Sequence, residues 1–550
     1  MPSPHPIYKY PIPKRGLNLY KSILDISPEE AIWLQNLIYR NGLAKRGGQK
    51  KQSNSEVNAS DNIVGLHRFY KSDGTKQLIA VSDTDVRYDN SGTWTAISTG
   101  QTADTQTFMT TWGPLDEVYV ANGTDDPFKW DGTTKTQFSA FSASNIPSTT
   151  ALMFLPYQDR LLVIEGGDLR WSGAFIDGET GGDNWETVAN CGVRPDTKLN
   201  GMIVHSQQNS NTGYESQVLL AGNNGMYIFR GTDLRVPFTT GDYRIFNIPG
   251  AVACNAPRTM QWTPAGSMWL GVDRQVYLLP FGSATPIPVS DKIRSNTSGL
   301  EGIELIPAAQ ISKSCAIYHD GFYKLSITSS SNNFNNRQFW LDVNRLFKDE
   351  DGQYGPWYGP MLMTDGTNSS GANCYVVQSG AGDVGELITG ESNANVGSYV
   401  YIDGDRALFG DNVDNDGSTN AQSIQIFWQS FYNPLGNEYV NKQIVKSEAV
   451  LLDVLGTVNV DYHDITGSIK TGDSFGLSGS AIFYDDDFYD DGFYSNSTPT
   501  RQLVSISPGI STRRLSMLIK HGVSTDRFEI YDLSVEAREL GRTYEDSTIS

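Results

Sequence analysis

The chain is poor in cysteine, histidine and positive charge, and it contains no long apolar run. Its four cysteines, Cys191, Cys254, Cys315 and Cys374, stand far apart with no CxxC pair. Scattered core thiols are therefore expected, not a disulfide framework or a zinc site. The six histidines are dispersed, with none at i, i+4 from another, so metal chemistry through His has no constellation to use. No stretch reaches the ~18–20 apolar residues of a membrane-spanning helix, and the opening MPSPHPIYKYPIPKRG lacks the apolar centre of a signal peptide. The expectation is a chain without a membrane span, made in the cytoplasm. With 42 basic against 62 acidic side chains the net charge is −20. That disfavours a surface that grips phosphate, but not one past which nucleic acid slides without sticking. Walker loops and HExxH are absent, and no cofactor and no enzymatic role are expected.

What is present is glycine and aromatic residues: Gly 54, Tyr 27, Phe 23 and Trp 11 with 38% hydrophobic residues, the composition of many short strands and turns. Residues 117–132 carry the pattern in compact form. Val118-Tyr119-Val120 and Phe128-Lys129-Trp130 read as strands, with turns at Asn122-Gly123 and Asp131-Gly132, pairs that accept the positive φ of tight turns. Similar units begin at Leu78, Arg160, Val218, Met268, Tyr323 and Tyr375, roughly 40 to 60 residues apart on average, the period of four-stranded propeller blades with variable loops. A unit of this kind cannot cover its own apolar face, so neighbours must pack in a ring. The expected class is all-β, a β-propeller of six to eight blades over 51–395, with one large sandwich as the alternative. A polar, Gly-rich stretch from residue 390 marks a boundary, and alternating strands beyond it predict a C-terminal β-sandwich over 396–550.

Residues 1–50 read as a Pro-rich arm and a short helix. Ser27 is placed as N-cap, Pro28 as the first helical residue and Glu30 as the third, a capping box opening a helix through Leu37. The basic cluster Arg40, Lys45, Arg46, Lys50 and Lys51 reads as an exposed turn that docks onto another protein.

The order Gly16-Leu17-Asn18, Ser27-Pro28-Glu29-Glu30-Ala31, Leu34-Gln35-Asn36-Leu37, Gly42-Leu43 and Lys45-Arg46-Gly47-Gly48 resembles the opening of bacteriophage tail proteins that form the nozzle or hub below the portal. The resemblance covers less than a tenth of the chain. It implies a structural virion protein, a homohexamer beneath a portal or adaptor ring that also meets tail fibres or other tail proteins. DNA would leave through its channel without specific binding. Gly16, Asn18, Pro28, Trp33, Asn36, Lys45 and Arg46 would then belong to the assembly interface.

Two acidic clusters remain. In Asp411-Asn412-Val413-Asp414-Asn415-Asp416-Gly417, Asp411, Asp414 and Asp416 are calcium candidates, although the twelfth position of an EF-hand loop begun at Asn412 is Ser423 and not glutamate. Residues 483–494 repeat Phe-Tyr-Asp-Asp and read as a loop whose acids face outward. The other readings are a carbohydrate-binding or glycoside-hydrolysing propeller, and a receptor-binding tail protein with the terminal sandwich as its adhesive part.

Overall fold

A computed structural model of the chain describes all residues except 1–4, 60, 142–145, 159, 174–184, 186–191, 194, 210–212, 232–242, 295–299, 365–366, 379–384, 406–409, 412, 415–420, 453–456, 476–500, 523–527 and 541–550. The described residues form strands, turns and short 3-10 segments. The expected hairpins supply the middle strands of their sheets, except the one beginning at Tyr375, which supplies the first and second. Val118–Val120 of Glu117–Ala121 pairs with Phe128–Trp130, and the Asn122 side chain accepts the backbone N–H of Thr124 (3.0 Å) and Asp125 (2.8 Å) to fix the turn.

Five four-stranded sheets lie within 63–98, 108–137, 151–193, 199–247 and 261–288. The sixth joins Ala372–Gln378, Glu386–Glu391 and Val400–Asp405 to Gly48–Lys51 from the start of the chain. The remaining place in the ring is taken by Cys315–His319, Phe322–Ile327, Arg337–Asp342 and Trp357–Met361, which begin a nine-stranded sheet. Innermost strands touch in chain order, and Ala372–Gln378 packs on Ile63–Tyr70 to close the circle. The all-β propeller expected from the repeats is therefore the observed architecture. Because an N-terminal strand is the outer edge of the last blade, ring closure ties residue 48 to residue 405 through backbone hydrogen bonds.

The sandwich is built from both ends of the chain. The nine-stranded sheet runs on from Trp357–Met361 through Trp33–Gln35, Ile426–Gln429, Ser516–His521, Val458–Asp464 and Gly467–Phe475. The facing sheet orders Leu37–Tyr39, Leu43–Lys45, Glu529–Glu539, Lys442–Leu452 and Arg501–Ile506. Leu34, Trp428, Val460 and Ile519 from the first pack with Ile444, Leu451, Leu533 and Val535 from the second, and the same core continues into Tyr323, Phe339 and Trp357 of the propeller. One continuous core thus spans both parts.

The helix expected over 28–37 does not form. Half of the capping box is made, Ser27 N–H to Glu30 Oε2 at 3.2 Å, but Glu30 N–H donates to the Ser27 backbone carbonyl (2.9 Å) and only a turn is closed. Trp33, Leu34 and Gln35 then pair with Gln429, Trp428 and Phe427, and Asn36 adopts φ 56°, which ends any helical run. Sheet pairing and core burial outweigh a local helix preference of a few tenths of a kcal/mol per residue.

His205 shows how the core responds to acid. It is buried, its Nδ1 lies 2.7 Å from Ser267 Oγ, and burial lowers its pKa from 6.5 to about 4. The unfolded chain binds this proton more readily, so the neutral imidazole favours folding above pH 6.5 and that contribution is lost as pH falls toward 4. A difference of that size corresponds to roughly 3 kcal/mol. Chemical denaturation at pH 7 and pH 4.5 checks this: His205→Gln should lose markedly less stability over the interval than the parent chain.

Candidate functional site

The residues that carry the N-terminal motif converge where propeller and sandwich join. Arg46 is fully buried, with all five guanidinium N–H groups in use. Nε donates to Asn36 Oδ1 (3.1 Å), Nη1 to Asp411 Oδ1 (2.8 Å) and the Gly47 carbonyl (2.9 Å), and Nη2 to the Leu362 carbonyl (2.6 Å) and Asp411 Oδ2. Asn36 reaches further: Oδ1 also accepts Leu362 N–H (2.8 Å), and Nδ2 donates to the Gln425 carbonyl (2.8 Å). Asparagine suits this position because its short side chain tolerates the left-handed backbone while bridging neighbouring segments. Lys51 adds an ion pair to Asp414 at 3.2 Å.

Two clusters that read as separate in sequence are therefore partners. The basic cluster is not an exposed turn: Lys45, Arg46 and Lys51 are buried, and two of them meet the acids at 411 and 414. Asp411 and Asp414, read as calcium candidates, hold cations of the chain itself; Asp416 lies outside the described residues, as does the 483–494 cluster. Among the described residues no group of three or more His, Cys, Asp or Glu side chains is arranged to hold a metal ion.

Glycine at two motif positions is a matter of space. At Gly16, φ 74°, a Cβ would stand 2.1 Å from the Trp357 carbonyl oxygen, and at Gly48 it would stand 2.0 Å from that of Gly410. Asn18 is buried and its Oδ1 accepts the N–H groups of Tyr20 (3.0 Å) and Lys21 (3.2 Å). Trp33 is half-buried and stacks on Phe427 with centroids 5.3 Å apart, while Pro28 is exposed. Of the seven residues assigned to an interface, five are interior to this chain, which leaves Pro28 and the open part of Trp33 as the surface. Beside them, Lys292 is buried between Glu30 (2.6 Å) and Asp349 (3.1 Å), and Lys21 contacts Asp351 (2.6 Å). Burial raises the Asp349 pKa, but the Gln353 N–H and the Lys292 ammonium outweigh it and hold the carboxyl below its usual range.

The propeller axis is crossed by a side chain. Arg258, on a turn between the fourth and fifth blades, donates to the carbonyls of Val64, Thr107 (3.2 Å) and Asn373 (3.2 Å), which belong to three other sectors of the ring or the linkers beside them. Cys254, Cys315 and Cys374 are buried free thiols, and burial pushes those of Cys254 and Cys374 up to about 12; Cys191 lies outside the described residues. The sequence also contains a Gly472-x-Ser474-x-Gly476 pattern, which begins on the Gly467–Phe475 strand. Ser474 is on that strand, and Gly476 with the residues after it lies outside the described residues. A cavity of about 350 Å³ opens between Arg40, Lys45, His319, Lys324, Trp340 and Glu529.

No protein-family model and no curated protein matches the sequence. Among solved structures the chain is similar to the WD40 β-propeller domain of Doa1 (9% identity, TM-score 0.35, 65% of this chain and 96% of that one). It is also similar to YCF48 from Cyanidioschyzon merolae (8%, TM-score 0.35, 64% and 98%) and to the computationally designed Ika8 protein (10%, TM-score 0.34, 70% and 100%). These are propeller likenesses at low superposition, and the fold assignment rests on the sheet topology above.

Proposed function

We propose that this chain is a structural subunit of a bacteriophage tail, part of the nozzle or hub ring through which DNA leaves. The observation that carries the reading is the convergence of the motif residues: Gly16, Asn36, Arg46 and Gly48 are far from an arbitrary N-terminal string and form the joint that fixes propeller to sandwich. A subunit that bears load at an exit channel needs such a joint, since interdomain motion is the default where the interface is small. Net charge supports the reading as well: at −20 per chain, a ring of copies repels phosphate and lets DNA pass. With Arg258 spanning the propeller axis, the DNA path lies between subunits, on an inward face that is acidic or neutral. Immunogold labelling of purified particles tests this. Label at the tail tip supports the assignment; particles free of label and free of the chain by mass spectrometry overturn it.

A further inference from the structure

The cavity at the joint holds a buried ammonium with no hydrogen bond among the described residues. Lys324 pairs across the strand with Trp340, and its Nζ rests 4.0 Å from the centre of that ring. Its side chain is 4% exposed, and the nearest carboxylate oxygen, Asp403 Oδ2, is 3.9 Å away, beyond hydrogen-bond reach. Neither Asp403 oxygen has a hydrogen-bond partner among the described residues. An ammonium carries three donors, and leaving them unmade in a buried site is costly. Arg40 stands at the rim, where its Nη2 meets Asp320 at 2.6 Å, and Lys45 lines the wall. Burial lowers the Lys324 pKa; the Asp403 and Asp320 carboxylates oppose this, and the Arg40 and Arg46 charges add to it. The His319 ring adds no donor to this set from Nε2, which is 2.6 Å from the Gly385 carbonyl.

We propose that this cavity binds a small molecule carrying an oxyanion, a carboxylate or a phosphate, with Lys324 as the buried anchor and Arg40 as the rim contact. An oxyanion accepts the ammonium donors of Lys324 and can bridge to the Arg40 guanidinium at the rim, a charge-assisted pairing strong enough to compete with the Asp320 and Glu529 carboxylates of the same wall and one that a neutral or cationic ligand does not offer. The volume of about 350 Å³ lies in the range of small-molecule sites and exceeds what bare phosphate fills. The proposal is independent of the tail reading.

The test is titration calorimetry on the full chain at fixed ionic strength, with inorganic phosphate, citrate and glucose as separate probes. Binding of phosphate, of citrate or of both assigns the oxyanion class and separates its two chemistries. Arg40→Gln, at the half-open rim, should weaken binding about tenfold, the loss expected for one charge-assisted contact. Lys324→Met should abolish it. Should that variant fail to fold, amine-reactive labelling of the parent chain read by mass spectrometry replaces it: the bound anion should protect Lys324 severalfold relative to exposed lysines. Binding of neither anion, binding of glucose alone, or anion binding unchanged in Arg40→Gln with Lys324 unprotected overturns the proposal.

Discussion

Replacing Arg46 with methionine should cost about 3–5 kcal/mol, the range for removing one partner of a buried ion pair. Methionine matches the length of the stem but supplies none of the five donors. Asp411 would be left as a buried carboxylate without its cation, and Asn36 Oδ1 and the Leu362 carbonyl would each lose a partner. Lysine in this place is not conservative, because one ammonium cannot meet Asp411 in two places while also reaching Asn36 and Leu362. Urea unfolding followed by tryptophan fluorescence reads the effect, and Arg46→Lys should recover less than half of the loss. A double change, Arg46→Met with Asp411→Leu, removes the stranded charge and should be milder than Arg46→Met alone.

A second large effect is expected at Lys292, and it carries a pH dependence. Lys292→Met leaves both Glu30 and Asp349 buried without their shared cation, again about 3–5 kcal/mol at pH 7. In the parent chain the Asp349 pKa is lowered, so its ionised form contributes stability above the ordinary carboxylate value and that contribution is lost as pH falls below it. With Lys292 gone, burial is opposed only by the Gln353 N–H and the Lys21 charge, so the Asp349 pKa should rise relative to the parent and the penalty present at neutral pH should shrink as pH falls. The stability difference between parent and variant should therefore narrow between pH 7 and pH 5; a gap that stays constant would mean that packing, not charge, governs this site.

The sequence was most informative where residues act locally. Each hairpin read from alternating apolar residues and Asn-Gly, Asp-Gly or similar turns is a pair of adjacent blade strands, because those strands are buried on both faces and so carry aromatic and β-branched side chains. Outer strands carry no such signal. Arg244–Asn247 and Ile287–Pro288 are short and partly exposed, and pair on one side only. The nonlocal features were hidden for a physical reason: Arg46 and Asp411 are 365 residues apart, and no local pattern encodes their meeting. For the same reason a buried basic cluster read as an exposed one, since charge alone does not reveal whether its partner lies elsewhere in the chain. The misread helix shows the converse, a correct local cap overridden by sheet pairing at Trp33–Gln35.

The joint also changes what truncation should do. Removing residues 1–51 deletes the closing strand Gly48–Lys51, the Trp33–Gln35 strand inside the nine-stranded sheet and the Arg46 knot. The product should not fold as a soluble propeller, so an assembly defect in it would say nothing about an interface. Substitutions at the exposed Pro28 are the appropriate probe of docking.

Mass photometry and electron microscopy of the purified full-length protein, alone and with portal or adaptor, test the central claim most directly. The account predicts a ring, six copies by the family resemblance, around a channel whose inner face is acidic or neutral. A chain that stays monomeric with portal and adaptor present, or a ring whose channel is lined mainly by lysine and arginine, would contradict it.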